Sequence, residues 1–162
     1  MLRIISRGSE RALALARSQD YLAPLLARIT VGVVFITSGW GKLHNLDKVT
    51  QFFGELGIPA PAFQAVFVSY VELVCGTALL LGLLTRLVAI PLAATMGVAI
   101  ITAKAEEIAG VADLLGTVEF AYVALLFGLV LTGPGKVSLD ALLFGKRSRD
   151  LTTRAVALNP SL

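Results

Sequence analysis

The stretch FQAVFVSYVELVCGTALLLGLLTRLVAIPLAATMGVAIIT, residues 63–102, contains only two charged side chains, Glu72 and Arg86. As one helix it would measure about 60 Å at ~1.5 Å per residue, roughly twice the ~30 Å hydrocarbon core of a bilayer. The run must therefore fold back on itself. Its polar break is Gly82 to Arg86 (GLLTR), which places a tight hairpin there, with spans at Phe63 to Leu84 and Leu87 to Thr102. Pro91 then falls in the first turns of the second of these helices, where a missing backbone donor is best tolerated.

Two further apolar stretches lie outside this pair, at Leu22 to Gly39 and at Ala112 to Thr132. The expected fold is an all-α membrane protein, a four-transmembrane-helix bundle. Composition agrees: 56% of the 162 residues are hydrophobic and 15% charged, too few polar residues to cover a soluble domain of this size. Basic residues set the orientation, because cytoplasmic loops are enriched in them. With the N-terminus inside, Arg3, Arg7, Arg11, Arg17, Arg86, Lys136, Lys146, Arg147, Arg149 and Arg154 are cytoplasmic, against Lys42, Lys48 and Lys104 outside. Both ends are thus expected in the cytoplasm. The chain divides into a basic tail at 1–21, a membrane domain at 22–145 and a second basic tail at 146–162. The first tail has no apolar run long enough for a signal-peptide core, so no cleavage is expected. It reads as a basic helix on an anionic leaflet or as a solvated tail.

In the first outer loop, Val49, Phe52, Phe53 and Leu56 follow i, i+3, i+4, i+7 spacing, which predicts a short amphipathic interfacial helix over Leu46 to Leu56. Asn45 is expected to cap it, and Gly57 and Pro59 to end it. After the last span, Gly133-Pro134-Gly135 breaks the helix and Ser138 can cap a short one through Leu143.

The pieces now assembled resemble the DoxX family of small membrane proteins over Leu22 to Gly145. They are Arg28 followed by Phe35, Gly39, Lys42 and Leu43; Glu72 and Gly76; Gly82 to Arg86; Glu119; and Gly133-Pro134-Gly135 with Ser138 and Asp140. The resemblance implies a four-helix bundle in a bacterial-type inner membrane. It also implies an oxidoreductase association, since some members resemble a subunit of a thiosulfate:quinone oxidoreductase; that is association and not mechanism.

Ionisable side chains at membrane depth are costly and are functional candidates by default. Arg28, Glu72 and Glu119 are such residues, and Lys42 stands at the outer end of the first span. On a helical projection Arg28 shares a face with Gly32, Phe35, Gly39 and Lys42, Glu72 with Ala65, Ser69 and Gly76, and Glu119 with Ala112, Gly116 and Tyr122. Small-residue faces pack against other helices, so all three charges are expected to point inward. Counted from their helix starts, the two glutamates lie at matching depth on neighbouring helices, near the outer side, and are expected to form a carboxyl pair. Arg28 tilts toward the cytoplasm, which disfavours a bridge to either glutamate and leaves Lys42 as the alternative partner. Two carboxyls close together away from water share a proton, an arrangement suited to proton transfer, quinone hydrogen bonding or polar-solute binding. The same carboxyls could equally bond backbone carbonyls, Ser69, Thr77 or Tyr122 and fix helix register. Stripes at Ala89, Ala93, Gly97 and at Ala124, Gly128, Thr132 suggest close packing of the third and fourth spans, or a homo-oligomer contact.

No catalytic residue is assigned. The single histidine, His44, and the single cysteine, Cys75, leave this chain alone without a haem, iron-sulfur or zinc site, so redox work would require a quinone or a partner protein. Trp40 is read as an interfacial anchor and His44 as an interfacial polar residue. Basic residues without interleaved aromatics exclude nucleic acid as partner; the lipid bilayer and other proteins remain. The leading function is an inner-membrane subunit of a redox assembly, quinone-linked. The alternatives are a small proton-coupled transporter, or a non-catalytic scaffold that holds soluble enzymes through the basic tails.

Overall fold

The computed structural model describes residues 22–135 and 137–142. Both basic tails, and the far end of the short helix expected to reach Leu143, lie outside them. The described residues form helices and no strand: α1 (Leu22–Leu43), α2 (Leu46–Glu55), α3 (Pro61–Leu81), α4 (Thr85–Ile101), α5 (Val111–Gly116) and α6 (Val118–Thr132), with a 3-10 turn at Ala105–Glu107. α1 and α3 are long and apolar enough to cross a membrane, whereas α4 and α6 are apolar but shorter, at 17 and 15 residues.

α1 packs along α3 and α4 along α6; α3 also meets α4, and α1 meets α6. The four helices therefore form a ring in which α3 and α6 stand diagonally. The inward faces are the small-residue faces. Arg28, Val31, Gly32, Phe35 and Gly39 are buried on α1, and Ala65, Ser69, Glu72, Gly76 and Leu79 on α3. Glycines let the two backbones approach. A Cβ on Gly39 would come within 2.7 Å of the Ser69 carbonyl oxygen and 2.6 Å of the Leu73 amide, and one on Gly76 within 2.9 Å of the Phe35 Cβ. α4 and α6 meet differently, through Ala89, Leu92, Leu126 and Leu129. Of the predicted small-residue stripes, Ala89 and Ala93 belong to this core, whereas Ala124 and Thr132 are exposed and Cβ atoms on Gly97 or Gly128 would meet nothing within 4 Å.

The hairpin falls where the polar break places it. α3 ends at Leu81, Gly82 takes a left-handed conformation (φ 69°), and the Leu83 and Gly82 amides return to the Ala78 and Leu79 carbonyls. This double bond pattern closes the helix and frees the chain to start α4 three residues later. α2 forms as predicted and ends on Gly57 (φ 69°), but Asn45 does not cap it; its side-chain amide donates to the Gly41 carbonyl at 2.9 Å, extending the end of α1. The predicted span from Ala112 to Thr132 is not one helix. It breaks at Thr117, whose extended backbone (ψ 143°) and hydroxyl, accepting from the Phe120 amide at 3.2 Å, start α6 afresh. A side-chain oxygen at this position satisfies a donor that a continuing helix would have bonded to its own carbonyl.

Gly39→Ala inserts a methyl against backbone atoms that cannot yield, and is expected to cost about 1–3 kcal/mol. Gly97→Ala, with open space around it, is the matched control. Thermal unfolding of both variants in one detergent checks this, and equal midpoints would refute the glycine seam.

Candidate functional site

The polar residues sort to two ends of the bundle. Arg28 is buried at one end, where its guanidinium donates to the carbonyls of Pro134, Val137 (2.9 Å) and Leu80 (3.4 Å). The group lies against Gly82, whose missing Cβ makes room for the guanidinium carbon. Asp140 completes this end: its carboxylate accepts from the amides of Leu84 (3.0 Å) and Thr85 (3.3 Å), capping α4 from a distant segment, while its own amide donates to the Gly82 carbonyl at 3.1 Å. That cap holds Leu84 in a left-handed conformation (φ 48°), unfavourable for a branched side chain. Ser138 caps the turn of helix at 139–142, its hydroxyl accepting from the Ala141 amide and donating to the Gly135 carbonyl. Arg28, the Gly82–Arg86 turn and the Gly133–Asp140 segment are thus one tie. Arg28 is joined to main chain there and not to either glutamate. Lys42 lies about 20 Å farther along the same helix.

The other end carries the remaining charges. Glu72, 1% exposed in the middle of α3, accepts from the Lys42 ammonium at 2.5 Å through Oε1, while its Oε2 is buried with no hydrogen-bond partner among the described residues. Both residues line a cavity of about 520 Å³ between α2, α3 and α4. Its walls are otherwise almost entirely apolar: Phe52, Phe53 and Leu56 of α2 form one side, Phe67 and Val71 another, Pro91 and Met96 a third. The two phenylalanines of the amphipathic helix are thus turned toward the bundle. The volume lies within the range of small-molecule sites, which also are mostly apolar with a few placed polar groups.

Glu119 occupies a different wall. Because α6 begins at Val118, Glu119 sits in its first turn, not seven residues into a span, and α6 is diagonal to α3. The depth and neighbour arguments that would pair it directly with Glu72 therefore do not hold. It lines a second cavity, of about 550 Å³, with Ser38, Lys104, Glu107, Tyr122 and, again, Lys42. Lys104 bonds Glu107 at 2.9 Å, and this bond, with a smaller contribution from the Glu119 charge, holds the Lys104 ammonium above its ordinary range. Trp40 is exposed and packs against His44 with ring centroids 4.4 Å apart and ring planes tilted by 42°.

An all-α chain with long apolar helices, charges buried inside the bundle and apolar residues over its outside is a membrane protein. It belongs to the DoxX family, whose defining sequence pattern matches residues 23–105. It is 34% identical over 134 residues to the protein named "Putative oxidoreductase CatD" of Bacillus subtilis, covering 81% of this chain and 95% of that one. It is 39% identical over 141 residues to the membrane protein Rv3486 of Mycobacterium tuberculosis, covering 80% and 82% of the two chains. It is 34% identical over 122 residues to the inner membrane protein YqjF of Escherichia coli, covering 74% and 90%. These relatives agree with a cell-membrane location. No solved structure matches the chain.

The tie around Arg28 predicts that Arg28→Leu, which strands several buried carbonyls, lowers stability by at least roughly 2 kcal/mol. Arg28→Lys restores little of it, because one ammonium cannot fork to three carbonyls. Denaturation in detergent measures both, and full rescue by lysine would refute the forked geometry.

Proposed function

We propose that this chain crosses the cell membrane four times with both ends in the cytoplasm. In this reading it is the membrane subunit of a redox assembly, holding a quinone-class molecule in the cavity between α2, α3 and α4. The observation that carries the ligand reading is the Lys42–Glu72 ion pair on the wall of an otherwise apolar cavity, where Glu72 also keeps a buried Oε2 without a partner among the described residues. An apolar molecule with one hydroxyl or carbonyl head group satisfies that pair and fills the rest. A hydroquinone hydroxyl donates to Glu72, and a quinone carbonyl accepts from Lys42. The oxidoreductase name of the Bacillus subtilis relative supports the redox setting. The ring of four apolar helices supports four spans, α1 and α3 being long enough to cross and α4 and α6 shorter.

A small proton-coupled transporter is the second reading, favoured by the polar second cavity beside Glu119. It requires a continuous polar path past Glu72, and the cavity there is apolar.

Purification in mild detergent and mass spectrometry of the extracted lipid are expected to find a quinone-class molecule with the wild-type protein. Ala94→Trp, which fills the cavity, and Glu72→Gln, which alters its head-group contact, should each reduce its recovery about tenfold or more, consistent with loss of a charge-assisted bond. Equal recovery from all three proteins would rule out the cavity as the site. Reporter fusions should place Asp20 and Asp150 in the cytoplasm and Asp47 outside; opposite signals at the two ends would exclude four spans.

A further inference from the structure

The two cavities are adjacent and differ in chemistry. Lys42, Phe52, Met96, Ala99 and Ala103 line both, so the chambers are separated only by a partition of side chains. On one side stands the Lys42–Glu72 ion pair in an apolar chamber. On the other, Ser38, Lys104, Glu107, Glu119 and Tyr122 share the lining with Lys42, a larger set of polar and ionisable side chains than the first chamber has. Lys42 is 26% exposed while Glu72 is 1% exposed, so the lysine is the member of the pair that solvent reaches.

Building on the quinone-class reading of the first chamber, we infer that the second chamber is its proton outlet, with Lys42 as the shared relay and Glu119 as the exchanging acid on the water side. A hydroxyl head group in the first chamber gives its proton to Glu72 Oε2. The Lys42 ammonium passes one of its protons to the Glu119 carboxylate and takes the proton from Glu72. Glu119 then releases its proton to water. The net change is loss of one proton from the ligand hydroxyl and gain of one by the solvent, with Glu72, Lys42 and Glu119 restored. Lys104 and Glu107, already bonded to one another, set the charge of the mouth without taking part. Lys42 is a long, flexible point charge with three donors, suited to alternating between two carboxylates.

The test uses the full chain in lipid nanodiscs loaded with a decyl-substituted 2-naphthol, whose neutral and ionised forms absorb differently. After a pH jump, the bound naphthol is expected to follow the new pH quickly in the wild type. Glu119→Gln should slow it by roughly 10²-fold, the usual size of a lost acid–base group, and Glu119→Asp should recover most of the rate. Thermal unfolding of the same samples establishes that the variants are folded. Wild-type exchange rates in Glu119→Gln would overturn the outlet and leave the first chamber's reading intact. Failure of the wild type to bind the naphthol overturns both. Independently, Ser38→Cys in a Cys75→Ser background should react with a charged, water-soluble thiosulfonate and Thr95→Cys should not; an unreactive Ser38→Cys would show that the second chamber is dry and overturn the outlet.

Discussion

The close approach of α1 and α3 is the constraint on which the rest depends. Gly32, Gly39 and Gly76 replace side chains with backbone contact, and in a bilayer, where apolar burial between helices has little driving force, such contact is what holds helices together. It also determines the chemistry. A carboxylate placed on this seam is buried whether or not it has a partner, and Glu72 lies one turn from Gly76 on the same face. The residue that reaches it must come from α1 beyond the last close glycine. Lys42, three residues after Gly39, is in that position, and its chain is long enough to bend back to Glu72.

The opposite end is closed as firmly as this end is open. Arg28 donates through its two terminal nitrogens to main-chain carbonyls of α3 and of the segment after α6, and Asp140 of that segment caps α4. Three stretches far apart in the chain are thereby fixed to one another, and the α3–α4 hairpin is held at its turn. With one end tied, room between the helices remains at the Lys42 end, where α2 lies across the gap and contributes aromatic side chains instead of a fully buried face.

Much of this is legible in sequence for a simple reason: local periodicity reports which face of a helix turns inward. Ala65, Ser69, Glu72 and Gly76, and Arg28, Gly32, Phe35 and Gly39, read correctly because small and ionisable residues at helical spacing have few other places to go. The hairpin was equally legible, since length forbids a single span. The break at Thr117 was not, because hydropathy is continuous across it and the decisive event is one hydroxyl choosing an amide three residues on. That break places Glu119 in the first turn of α6, on the wall of a different cavity from Glu72. The role of Arg28 was hidden for another reason. Its partners are the backbone carbonyls of Pro134 and Val137, and side-chain patterns carry no information about main-chain acceptors a hundred residues away. Asn45 likewise looked like a cap but satisfied a nearer carbonyl.

Pairing Glu72 with a lysine has a different consequence from pairing it with a second carboxylate. A proton-sharing pair is neutralised by its own repulsion, and its chemistry stays inside the pair. A lysine bonded to Glu72 leaves one oxygen of that glutamate buried without a partner among the described residues, on a residue that lines an apolar cavity. An unsatisfied acceptor in such surroundings favours any occupant that brings a donor, and apolar walls select one that brings little else that is polar. In the proposed reading, selectivity and proton exchange are divided between residues: Glu72 and the aromatic side chains of α2 would choose the head group and its tail, while Lys42 would connect that choice to the cavity lined by Glu119. Because Lys42 is the one charged residue lining both cavities among the described residues, replacing it would couple two defects that changes at Glu72 and Glu119 separate.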